Sequence, residues 1–230
     1  MNAQERLYAG QLAAIDGKHE EALKHFVWFH DHSLEVEPAL YGVRLSFALS
    51  YWKDLGESYP KALRALRRKR DEKSRFLLGG IGDRRMFHDV EAINDTCGEL
   101  KKTHVLFVRL AQLNPELARN CAALALPAVV AAGDFRLANS LAPDPIGRIR
   151  RLCSELDTSI ERQRSKPRRV QIASRRALVH NHVQDVQLPL SILKACGRAD
   201  EASEGERLAS ALLGSPSVRK AVRARLATSQ

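Results

Sequence analysis

Apolar side chains recur at spacings of three and four residues along nearly the whole chain, and the strict alternation of a half-buried strand is almost absent. This pattern predicts an all-α protein. Leu7, Leu12 and Ile15 form one stripe within residues 3–16, and Ala22, Leu23, Phe26 and Phe29 form the stripe expected to face it within 18–33. A second helical pair is expected over 38–54 and 60–78, with Pro38 and Pro60 in first turns, where the missing N–H costs nothing. A third pair covers 86–96 and 99–113, with Asp83 or Asp89 as candidate N-cap, and Asn114-Pro115 ends one helix and begins the next. Residues 115–132 are apolar nearly all round, which predicts burial on several sides at the centre of the fold; Pro127 inside them should kink the helix or break it. Further helices are expected near 134–141, from Pro145 to about 163, and over 170–195, 200–213 and 216–227, the last opened by Ser215-Pro216.

One phrase keeps returning between these helices. Gly17-Lys18-His19-Glu20-Glu21-Ala22-Leu23, Leu55-Gly56-Glu57-Ser58-Tyr59-Pro60-Lys61-Ala62, Ala132-Gly133-Asp134-Phe135-Arg136-Leu137-Ala138 and Cys196-Gly197-Arg198-Ala199-Asp200-Glu201-Ala202 each read alike. A helix ends on a glycine, a short polar turn follows, and the next helix presents a small alanine inward. Gly79-Gly80-Ile81-Gly82-Asp83 is the sharpest interruption, and it lacks the lysine and hydroxyl ending of a phosphate-binding loop. The polar, proline-bearing stretch 163–169 is the expected subdomain boundary, dividing a helical-hairpin domain, 1–164, from a C-terminal helical extension, 165–230, that packs on it.

The repeated phrase resembles the tetratricopeptide repeat, which sets a small alanine five residues after the inter-helix glycine and an aromatic about four later, as Gly17, Ala22 and Phe26 do. Trp52-Lys53-Asp54-Leu55-Gly56-Glu57-Ser58-Tyr59 also resembles the family's Trp-x-x-Leu-Gly-x-x-Tyr string, although Pro60 opens the next helix too early for its register. The glycines at 17, 56, 98, 133 and 197 lie 39, 42, 35 and 64 residues apart rather than the regular spacing of about 34, so the array is degenerate. What the resemblance implies is an α-α hairpin superhelix that grips a partner protein and catalyses nothing. Phe87-His88-Asp89-Val90-Glu91-Ala92-Ile93-Asn94, Asn114-Pro115-Glu116-Leu117-Ala118 and Ala125-Leu126-Pro127-Ala128 resemble strings of bacterial all-helical immunity proteins found beside polymorphic toxins. That resemblance implies a toxin domain as partner.

Charge sharpens the picture. Residues 1–60 hold five Lys and Arg against nine Asp and Glu, a net of −4, so the rest must carry +14 of the chain's +10 total. Eight basic residues fall within 61–75 and ten within 148–176. Arg64, Arg67, Arg68 and Arg75 can share a helix face, and with Trp28 and Tyr51 they are the candidate partner-binding residues. Almost no aromatics interleave with the basic stretches, so nucleic-acid binding, the alternative, is expected to be backbone contact only. Arg175 or Arg176 followed by His180 or His182 resembles the Arg-x4-6-His pair of the HEPN ribonucleases, which implies phosphate stabilisation by Arg and proton transfer by His in that alternative.

His25, His30 and His32 have spacings of five and two rather than the four that places two ligands on one helix face, so no metal is expected. No nucleophile elbow or Cys/His couple stands out, and neither an enzyme nor a cofactor is expected. Cys97, Cys121, Cys153 and Cys196 are scattered without a Cys-x-x-Cys pair and are expected as reduced thiols of a cytoplasmic protein. The first residues show no secretory pattern, and no apolar run approaches membrane-spanning length, so no membrane association is expected.

Overall fold

The computed structural model describes residues 1–228, which are helical from end to end with no strand among them. The helices are α1 (Ala3–Ile15), α2 (His19–Val36), a 3-10 turn (Pro38–Leu40), α3 (Tyr41–Leu45), α4 (Phe47–Ser58), α5 (Pro60–Leu78), α6 (Arg84–Thr96) and α7 (Leu100–Leu113). They continue with α8 (Pro115–Ala131), α9 (Phe135–Leu141), α10 (Pro145–Arg162), α11 (Arg168–Ala195), α12 (Ala199–Ala211) and α13 (Pro216–Ala227). Two compact units arise, Met1–Ala128 and the part from Val129 onward, and the division falls inside α8. Pro127 does not break that helix. The polar connection after Arg162 joins α10 to α11, which pack on each other within the second unit.

The glycine phrase is a set of helix ends. At Gly17 the backbone turns left-handed, φ 74°. Its N–H donates to the Ala14 carbonyl at 3.2 Å and the Lys18 N–H to Ala13 at 2.8 Å, so the last carbonyls of α1 are satisfied. The same pair of bonds closes α6 at Gly98, α8 at Gly133 and α11 at Gly197, and also α5 at Gly80. Gly56 departs from the expectation of an inter-helix turn. It lies inside α4, buried against Leu63 of α5, where an added Cβ would stand 2.9 Å from the Leu63 Cβ. Its small size serves helix packing, and the turn comes later, at Tyr59-Pro60.

Helix starts follow side-chain chemistry. Asn2 and Glu5 form a reciprocal capping box, and the carboxylates of Asp83, Asp134 and Asp144 accept from the N–H three residues on. Asp89, the other candidate cap for α6, lies instead in the core. In the first unit α1 packs on α2, α2 on α4, α4 on α5, and α5 on α6 and α7, around Phe26, Phe29, Leu49, Trp52, Leu66 and Ile93. In the second, α10, α11, α12 and α13 enclose Ile149, Val183, Val186, Ala209 and Val222. Among the described residues no helix is long and apolar enough to cross a membrane.

Candidate functional site

The basic stretch of α5 is largely spent on the protein itself. Lys61 pairs with Glu20 at 2.8 Å, Lys69 with Asp31 at 2.6 Å, and Arg67 with Glu99 at 2.8 Å. Arg70 is buried and bonds Glu99 and Asn94, whose amide donates to the Thr103 hydroxyl at 3.0 Å. Lys73 and the buried Arg44 of α3 both pair with Asp89. Those two cations hold the Asp89 carboxyl below its ordinary range against the opposing effect of burial. Of the proposed partner-binding arginines, Arg64 and Arg75 are exposed, Arg68 reaches Glu72 only at 3.9 Å, and Arg67 belongs to the internal network with Glu99. Trp28 is half-buried beneath Arg6, whose guanidinium lies 4.3 Å from the ring centroid.

Tyr51 leads elsewhere, to a groove between α1 and α4. Two cavities of about 550 and 300 Å³ lie along it and share Tyr8, Gln11 and Tyr51 in their walls. Phe26 and Phe29 line its depth, and Asp54 is the one charged residue among those that line it. Its apolar rim is open to water: Tyr8 is 61% exposed, Leu12 43%, Ile15 80% and Phe47 62%. Leu12 and Ile15 therefore do not face α2, contrary to the sequence expectation. The stripe that does is Ala3, Leu7, Gly10 and Ala13. Gly10 decides this, since an added Cβ would lie 2.8 Å from the Phe26 ring, and only its absence lets α1 settle with that face inward.

Of the six candidate partner residues, the structure brings only Tyr51 into this groove; the four arginines stand along α5, and Trp28 under Arg6. Tyr8, Leu12, Ile15 and Phe47 were missed by sequence reasoning. A signal was present: Tyr8, Leu12 and Ile15 form a second ridge at spacings of four and three, beside the ridge of Ala3, Leu7 and Gly10.

Elsewhere, His182 is buried in the second unit and its Nε2–H donates to the Ala209 carbonyl at 3.1 Å, which commits it to the core. His180 is exposed on the same helix as Arg175 and Arg176. His25, His30 and His32 have separate surroundings: Glu21 at 4.0 Å, the buried Arg44, and Glu35 at 3.1 Å. Burial, aided by the Arg44 charge, lowers the His30 pKa to about 3 and keeps its ring neutral. The four cysteines are free thiols; burial pushes Cys121 and Cys153 up to about 11.

Compared with protein-family models, curated proteins and solved structures, the chain matches none.

Proposed function

We propose that the protein is a non-catalytic binding scaffold whose first unit takes an amphipathic segment of a partner protein into the groove between α1 and α4. The observation that carries this reading is the run of exposed large apolar side chains on the rims, Tyr8, Leu12 and Ile15 on one and Phe47 on the other beside the half-buried Tyr51, above a cavity space that Phe26 and Phe29 line. Contiguous apolar surface of this kind is rare on a protein that acts alone, and a groove between two neighbouring helices suits the apolar face of a third helix. The occupant carries a Lys or Arg: Asp54 stands in the lining, and residues 1–60 are acidic by −4. The helix pairs capped at Gly17 and Gly98 support the tetratricopeptide-like hairpin reading of this unit. In its most specific form, the partner is a bacterial toxin domain met in the cytoplasm and neutralised there.

The test is co-expression with the product of the adjacent gene, followed by gel filtration and a toxicity assay. A stoichiometric complex and protection from killing are expected, and both should be lost in Ile15→Glu combined with Tyr51→Ala. A complex that survives those changes would remove the groove from the mechanism, and no complex or protection would remove the immunity role.

A second reading is supported by the corner between α10 and α11. Arg162, Lys166, Arg168, Arg169 and Arg176 are exposed there, with no carboxylate within salt-bridge distance among the described residues. Such charges suit the phosphate backbone of a nucleic acid, read without sequence preference.

A further inference from the structure

A third cavity, of about 350 Å³, is separate from the groove and is lined by Leu34 of α2, Pro38 of the 3-10 turn, Tyr41 of α3, and Arg84 and Arg85 of α6. We propose that it binds the phosphate of a small phosphate monoester, with the apolar part of the ligand against Leu34, Pro38 and the Tyr41 ring.

Two arginines line the cavity and no carboxylate does. Neither arginine has a carboxylate within salt-bridge distance among the described residues, in a unit where the arginines of the core are neutralised. Arg84 is anchored by one atom only, its Nε donating to the Asn120 carbonyl at 3.0 Å, which leaves both terminal nitrogens for a ligand. The nearby Asp83 carboxylate is already engaged, accepting the Met86 N–H at 2.8 Å. Planar guanidinium forks match the oxygen geometry of a phosphate dianion and form charge-assisted bonds to it.

Tyr41 sets its ring in the wall. Its Oη lies 2.9 Å from Nδ1 of His88, whose Nε2 in turn lies 4.0 Å from a Glu91 oxygen. Burial, with the charge of Arg84, lowers the His88 pKa. The hydrogen bond between the phenol and Nδ1 of His88 fixes the Tyr41 ring in the cavity wall. The apolar wall distinguishes this cavity from a site for a bare ion, because a ligand carrying a ring or alkyl group covers Leu34 and Pro38 while its charge meets the arginines.

Isothermal titration calorimetry on the full chain tests this with three probes: phenyl phosphate, inorganic phosphate and benzoate. Saturable one-to-one binding of phenyl phosphate is expected, with inorganic phosphate and benzoate each weaker by about tenfold. Arg85→Glu reverses the charge of an exposed side chain and should weaken phenyl phosphate at least about tenfold with an unchanged circular dichroism spectrum. If that variant does not fold, Arg85→Gln gives the same comparison, and Tyr41→Phe should show a smaller loss. Ile15→Glu, in the separate groove, should leave the affinity unchanged. No saturable heat up to about 10 mM phenyl phosphate would overturn the proposal. So would equal binding by the Arg85 variants, benzoate binding as tightly as phenyl phosphate, or loss of binding in Ile15→Glu.

Discussion

Asp89 holds two cations in place, since Arg44 is buried and Lys73 half-buried against it, and removing its charge strands both. We expect Asp89→Ala to cost about 3–5 kcal/mol, because an uncompensated buried charge is far more expensive than the ion pair is worth. Urea unfolding measures it, and a loss under about 1 kcal/mol would mean that Arg44 finds water in the native state. Close approach is the other residue-scale constraint. Ala22 and Ala138 are fully buried where helices meet, so replacing either by Phe should destabilise by about 1–3 kcal/mol. Gly10→Ala should cost a similar amount, by forcing α1 away from Phe26. A neutral Gly10→Ala would show that α1 does not pack through this face.

At the scale of an element, α1 has two apolar ridges and buries one. Ile15→Glu lies on the open ridge and should change stability by no more than about 0.5 kcal/mol while weakening capture of the partner at least about tenfold. Thermal unfolding beside a binding assay separates the two effects. Helices α6 and α2 carry a pH response made of opposing parts. Burial, with Asp95 nearby, raises Glu91 to about 7, so native protein takes up this proton before the unfolded chain does, and acidification from pH 8 towards 4.5 adds stability through this group. His30 acts the other way. Its native pKa of about 3 lies below the unfolded value of 6.5, so the unfolded chain gains the proton first and stability is lost as pH falls below 6.5. His88, also lowered, adds to that loss. Asp89, whose native pKa lies below 3.8, adds a further loss as pH falls through that range. Stability should therefore fall only gently between about pH 6.5 and 4.5, where Glu91 offsets part of the loss, and more steeply below. Glu91→Gln should stabilise the protein at pH 8 more than at pH 5. An equal change at both, in urea titrations, would mean that Glu91 is not held above its ordinary range.

For the whole molecule, net charge misleads unless pairing is counted. The stretch 61–75 is strongly basic in sequence, yet Glu20, Asp31, Asp89 and Glu99 meet five of its eight cations. In the corner of 162–176 only Arg164 meets a carboxylate among the described residues, that of Glu161. If nucleic acid binds at all, affinity should fall steeply between about 50 and 200 mM salt and should depend on Arg168 and Arg169 rather than on Arg64 and Arg68. Filter binding of Arg168→Glu with Arg169→Glu against Arg64→Glu with Arg68→Glu decides this. Greater loss in the second pair would return the interface to α5.

The helical class, most helix ends and the prolines that open them were legible in the sequence, because caps, glycine turns and three-to-four-residue periodicity act within a turn or two of the chain. Gly17, Gly98, Gly133 and Gly197 needed no distant partner to end their helices. Gly56 carried the same local signature and took a different part, since Leu63 comes close to it across a helix pair. The candidate site depended on that longer range. Whether Leu12 and Ile15 face α2 or water was decided by Gly10 fitting against Phe26, and whether Arg67 and Arg70 are free was decided by Glu99 arriving from beyond the next helix. Local chemistry determines what a segment is; only the packed chain determines which apolar ridge is left over and which charges find partners, because burial and Coulomb attraction depend on neighbours far apart in sequence.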